Sequence, residues 1–164
     1  MNKTYLKLLI VFYTLFLTSC TSNNDIEKLE NNSEIPISFV EKPIELDILN
    51  LINDYRVLNG YSLLSKLKII KSQTTDHTNY MVDNNEISHK FFQKRMNFLI
   101  QNTDAKGVGE NVAYGYCYAE SVVKAWLDSE SHKKNIEGDY THFEVTAEKN
   151  TDGKWYFTNI FVKK

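Results

Sequence analysis

Apolar residues recur at three- and four-residue intervals along most of this chain, then at every second position near its end. From Glu45 to Asn59 the helical spacing runs through Leu46, Leu49, Ile52 or Asn53, and Arg56 or Val57, with Leu51, Tyr55 and Leu58 widening the stripe. Gly60 follows, where a helix can stop on a left-handed residue. A second helix is expected from about Ser65 to Asn84, because Leu67, Ile70, Thr74, His77 and Met81 share one face. His77 therefore reads as a packed, hydrogen-bonded core residue. Spacing resumes behind His89 with Phe91, Phe92, Arg95, Met96 and Leu99. It returns from Ala119 to Asp128, where Val122, Val123, Trp126 and Leu127 face inward, and His132 begins the next short helix, with Asn135 and Ile136.

The period then changes to two. His142 to Lys149 reads as a strand, Asn150 to Gly153 as a turn whose glycine supplies a positive φ, and Lys154 to Lys163 as the return strand. On that last strand Trp155, Phe157 and Phe161 point one way, and Tyr156, Ile160 and Val162 the other. A strand apolar on both faces is covered on both faces. The helices must then divide into two layers around a sheet.

The first 43 residues do not share these patterns. Lys3 and Lys7 precede an apolar run from Leu8 to Leu17, broken only by Thr14, which is too short for a membrane span and suits a signal-peptide core. Leu17-Thr18-Ser19-Cys20 resembles a bacterial lipobox, with small residues before a thiol that can carry diacylglycerol. Residues 1–19 are thus expected to be removed, Cys20 to be acylated, and the protein to sit on a membrane of the bacterial cell envelope, facing periplasm or exterior. Thr21 to Pro43 reads as a tether rich in Asn, Glu and Ser. Ile35, Ile37, Phe39 and Val40 interrupt it and could dock on the domain that occupies 44–164.

Charge narrows the partners. Nineteen basic residues, less Lys3 and Lys7, stand against 21 acidic ones and give the mature chain a net charge of −4. That balance excludes the basic face a nucleic-acid partner would need. With Cys20 acylated, Cys117 is the one remaining thiol, so no internal disulfide can form. Between Tyr116 and Tyr118, Cys117 reads as a small buried core residue.

Three motifs carry the candidate chemistry. Ile87-Ser88-His89 places a histidine at a helix start, Gly109-Glu110-Asn111 places an acid after a glycine-bearing loop from Ala105, and Ser131-His132-Lys133-Lys134-Asn135 places a second histidine at an element end. The loop glycines are expected to turn tightly, bringing Glu110 close to backbone donors. In their order and spacing, together with the Ala119–Trp126 helix, these motifs resemble the CAP superfamily of cysteine-rich secretory, antigen 5 and pathogenesis-related proteins, in a disulfide-free bacterial form. The resemblance runs from about Glu45 to the C-terminus. It implies an α+β fold, a three-layer α-β-α sandwich with a mostly antiparallel central sheet.

It also implies a cleft lined by His89, Glu110 and His132, with His142 as a fourth candidate. Many members carry a further acid three residues after the helix tryptophan, and here that position is Ser129. The leading expectation is a membrane-anchored domain that binds a lipid, glycan or protein ligand in this cleft. His89 and His132 are the metal candidates, holding zinc weakly. The alternative is a zinc-dependent hydrolase with Glu110 as catalytic base, but catalytic zinc normally has three protein ligands and no His-Glu-x-x-His helix is present. No serine has a nucleophile-elbow context.

Overall fold

A computed structural model describes residues 40–164; the leader, Cys20 and all but the last residues of the tether lie outside the described residues. The chain opens with α1 (Pro43–Leu58), where proline occupies the first turn and Glu45 reaches back to accept from the Lys42 amide at 3.0 Å. Gly60, at φ +78, completes the stop. The second helix begins later than its apolar period suggests. Asn53 bonds both the amide and the carbonyl of Leu64, at 2.9 and 3.0 Å, and draws the chain out straight. Ser65–Lys66 then form a short strand, β1, parallel to His142–Phe143. α2 (Lys68–Asn84) and α3 (Phe92–Thr103) follow, then the strand β2 (Gly107–Tyr114), α4 (Ala119–Asp128), α5 (Glu130–Ile136), and the hairpin β3 (His142–Lys149) and β4 (Trp155–Lys163).

The sheet order is β1-β3-β4-β2, antiparallel except for the β1–β3 pair. It is therefore mixed, with helices on both faces. Val122, Trp126, Phe143, Phe157 and Phe161 pack with α1 and α4 on one face. Ile160 and Val162 pack with Ile70 of α2 and Leu99 of α3 on the other, and Tyr156 with Met81. The two-faced apolar pattern of β4 thus acts as the middle of an α-β-α sandwich.

On both long edges of this sheet side chains take up outward backbone groups that an edge strand would otherwise offer to another chain. On β3 the outward Ala147 amide donates to Glu45 at 2.8 Å, and the Val145 carbonyl accepts from Lys71 at 2.7 Å. Glu45 and Lys71 are themselves paired at 2.8 Å and buried. On β2 the Val112 carbonyl accepts from the Trp126 indole at 3.0 Å, and the Glu110 carbonyl from Asn135 at 3.1 Å. α4 and α5 are held against β2 by these bonds. The candidate site forms along that seam.

Candidate functional site

Glu110 lies inside β2, opposite Ile160, so its side chain enters the α2–α3 layer. The loop expected before it is instead strand from Gly107 onward. Neither Gly107 nor Gly109 has a positive φ. Gly109 serves a different need: a Cβ there would stand 2.5 Å from the Tyr140 hydroxyl and 2.7 Å from Asn135 Oδ1. The missing side chain lets α5 and its following turn press onto the strand.

The Glu110 carboxylate is almost fully buried and is met by side chains, not by the backbone donors expected from sequence. Arg95 Nε donates to Oε2 at 2.8 Å, and Arg95 Nη2 to Oε1 at 2.9 Å. His89 Nδ1 lies 2.9 Å from Oε1. A carboxylate partner places the proton on Nδ1 and leaves the lone pair on Nε2. The His89 side chain is 51% exposed, so this free nitrogen belongs to an imidazole open to solvent. Arg95 occupied an inward helical position in the sequence, and a buried guanidinium needs a carboxylate partner. That was the one signal that could have placed it.

His77 is buried as expected, yet it also belongs to this cluster. Its Nε2 donates to the Ser88 carbonyl at 2.8 Å and stands 3.9 Å from Glu110 Oε1. It therefore ties down the turn that carries His89. Burial pushes its pKa below the ordinary histidine value, despite the nearby Glu110 charge.

His132 reaches the same seam from α5. Asn111 Nδ2 donates to the His132 carbonyl at 3.0 Å, and Asn135 Nδ2 donates to Asn111 Oδ1 at 2.8 Å. These two asparagines sit within the motifs, and their part in docking α5 was not read from the sequence. Burial lowers the His132 pKa and the neighbouring His89 lowers it further. A cleft of about 310 Å³ opens here, bounded by Ile87, Val112, Tyr114, Trp126, Ser129 and His132. Ser129, three residues after the helix tryptophan, lines this cleft.

The structure does not bring His142 to the others. It starts β3, with β4 between it and β2, and its Nδ1 bonds the Thr141 hydroxyl at 2.8 Å. Cys117 is exposed rather than buried, because the tight turn at Gly115, φ +82, carries the chain out between β2 and α4. Tyr116 and Tyr118 beside it are exposed as well.

Among the described residues, no three His, Cys, Asp or Glu side chains converge as a set of metal ligands. Glu110 is taken up by Arg95 and His89. The donors left for a metal are the two imidazoles, fewer than a catalytic zinc centre uses.

The profile of the family described as "CAP: Cysteine-rich secretory protein family" matches residues 49–161. The chain is 30% identical over 129 residues to "Uncharacterized membrane protein YlbC" of Bacillus subtilis (strain 168), covering 76% of this chain and 36% of that one. It is 32% identical over 126 residues to "Uncharacterized protein YkwD" of the same strain, covering 73% and 47%. The chain thus spans less than half the length of these curated relatives. Among solved structures it is similar to an outer surface protein from Borrelia burgdorferi, with a TM-score of 0.67, 21% identity, and 76% and 96% of the two chains covered. It is also similar to an extracellular protein containing a SCP domain from Bacillus anthracis, with a TM-score of 0.61, 24% identity, and 77% and 45% covered.

Proposed function

The chain belongs to the cysteine-rich secretory protein (CAP) family, and from that membership we propose that it is a membrane-anchored extracytoplasmic lipoprotein that binds a ligand in the cleft of His89, Glu110 and His132. One observation carries the site. A buried carboxylate, fixed by Arg95, holds a half-exposed imidazole with its free nitrogen outward, and a cleft of about 310 Å³ is lined by His132 and by Ile87, two residues before His89. Such an arrangement presents a preset hydrogen-bond acceptor instead of a mobile one. The anchor rests on the lipobox at Cys20 and on a relative named as a membrane protein.

His89 and His132 would also hold a divalent transition metal, which would supply Lewis acidity at the mouth of the cleft. Two ligands make a weak site. The lowered pKa keeps His132 neutral and able to donate its lone pair at neutral pH. The hydrolase alternative is the weaker reading, since Glu110 is held as an ion-pair partner and, among the described residues, no third ligand joins the imidazoles.

Calorimetry with zinc tests the cleft. The parent should bind, with affinity falling as pH drops through the histidine range near about 6.5, and both His89→Ala and His132→Ala should lose binding. If either variant binds like the parent, the two histidines do not share a site.

A further inference from the structure

No charged side chain lines the cleft of about 310 Å³. Val112 of β2 and Trp126 of α4, both buried, form an apolar floor. Ile87, Tyr114 and Tyr116 form a rim and are 48%, 41% and 37% exposed. Short side chains at Ala113, Ala125 and Ser129 leave the hollow open. Two other surface cavities differ in this respect. One of about 380 Å³ is lined by Asp76, Lys94 and Arg95 among others, and one of about 390 Å³ by Glu130, Lys133, Lys134 and Glu137.

The lining decides what can enter. A charged group leaves water at high cost unless an opposite charge meets it, and this cleft offers none. The acid of the site, Glu110, is already taken up by Arg95 and His89. Ser129 brings a hydroxyl and no charge.

The polar side of the cleft is equally selective. Besides the tyrosines, its polar residues are Ser129 and His132. Above its ordinary pKa of about 6.5 an imidazole is neutral, with one nitrogen that donates and one that accepts. A hydroxyl can pair with either nitrogen, and with the serine hydroxyl as donor or acceptor, whereas a carbonyl or ether oxygen only accepts. The volume lies at the lower end of small-molecule sites and suits a single ring or short chain.

We propose that this cleft binds a small uncharged ligand, mainly apolar and bearing a hydroxyl, and turns away carboxylates, phosphates and ammonium groups. The inference names the ligand class of the cleft and rests on the reading of the cleft as a ligand site. An aromatic rim packs well against a second ring. Benzyl alcohol is therefore a fitting probe, and benzoate and benzylammonium repeat its ring with opposite charges.

Amide spectra of the ¹⁵N-labelled full chain test this in metal-free buffer at about pH 8, where the imidazoles are neutral. Cys20→Ala is carried throughout, so that no detergent is present to fill an apolar cleft. Benzyl alcohol should shift amides within residues 112–116 and 125–132, and both charged analogues should bind at least about tenfold more weakly. Ala125→Leu puts a good helix former into the hollow and should abolish these shifts in an otherwise unchanged spectrum. Ser129→Asp keeps a residue suited to the start of α5 and should reverse the order in favour of benzylammonium. The proposal is overturned if either charged analogue binds the parent as tightly as benzyl alcohol, if Ala125→Leu binds like the parent, or if Ser129→Asp leaves the order unchanged. A preference for a charged probe would overturn this inference and leave the ligand reading of the cleft standing. If none of the three probes shifts those amides, both fall together.

Discussion

Glu144 and Glu110 face the same helical layer from one row of the sheet, yet they are treated differently. Glu110 is fully paired. Glu144 is buried with Oε2 unpartnered, and burial pushes its pKa up from 4.5 to about 7, with Lys71 opposing the rise. The folded state therefore holds this proton more tightly than the unfolded chain. Its contribution to stability is fully present below about pH 4.5 and is lost as pH rises through about 7, on the order of 3 kcal/mol by linkage. Glu144→Gln should raise stability at pH 8 and flatten this part of the profile, as denaturant titrations at pH 5 and pH 8 would show. An unchanged pH dependence would contradict it. His77 has the opposite sign. Its pKa is lowered by burial, so its contribution is fully present above the unfolded value of 6.5 and is lost as pH falls below it through the lowered folded value. Arg95→Met should leave Glu110 buried without its main partner and cost about 3–5 kcal/mol, measured by urea unfolding. A cost below about 1 kcal/mol would mean the pair is solvated.

At the scale of elements, the seam between β2 and the α4–α5 pair decides whether a site exists. Trp126 is 1% exposed and its indole closes the Val112 carbonyl. Trp126→Ala should cost about 3–5 kcal/mol through the cavity it leaves, enough to bring the thermal midpoint near ambient temperature in a domain without disulfides. Trp126→Phe should cost much less, chiefly the lost hydrogen bond of about 1 kcal/mol. Equal losses in the two variants would show that packing is not the larger part. Asn135→Ala frees the Glu110 carbonyl and Asn111 together, so it should disturb His132 more than it disturbs global stability. Histidine-ring spectra compared with thermal melts would separate the two effects. The hairpin and the α4 helix were readable because their patterns are local: period two with a glycine turn, and inward residues at helical spacing. β1 was not, since two residues have no period and pair with a strand far along the chain. Strand order was equally hidden. A period of two places His142 on a face of β3, but only the insertion of β4 between β3 and β2 shows how far that is from Glu110.

For the whole molecule, the opposed apolar faces of β4 implied two helical layers, and the sandwich has them. Family-like motifs pointed to His89, Glu110 and His132; in the structure His89 bonds Glu110, and His132 sits on α5, where Asn111 bonds its backbone carbonyl. Arg95 and His77 were missed because helical spacing assigns a side chain to the core without saying what it meets there. Cys117 was misjudged because the turn at Gly115 turns its neighbours outward, which composition does not reveal. The proposed anchor, Cys20, lies outside the described residues and is tested apart from the domain. Cys20→Ala should release the protein from the membrane fraction and move it to the aqueous side of a detergent phase separation. Retention of the variant in detergent would contradict the anchor.

The central claim is that Glu110 fixes His89 with its free nitrogen outward, in one cleft with His132. Long-range ¹⁵N–¹H spectra of the histidine rings in alkaline buffer, before and after zinc, test it most directly. His89 should carry its proton on Nδ1, and zinc should shift the His89 and His132 signals together while His142 stays still. A proton on His89 Nε2, or a response from His142 in place of His132, would contradict the account.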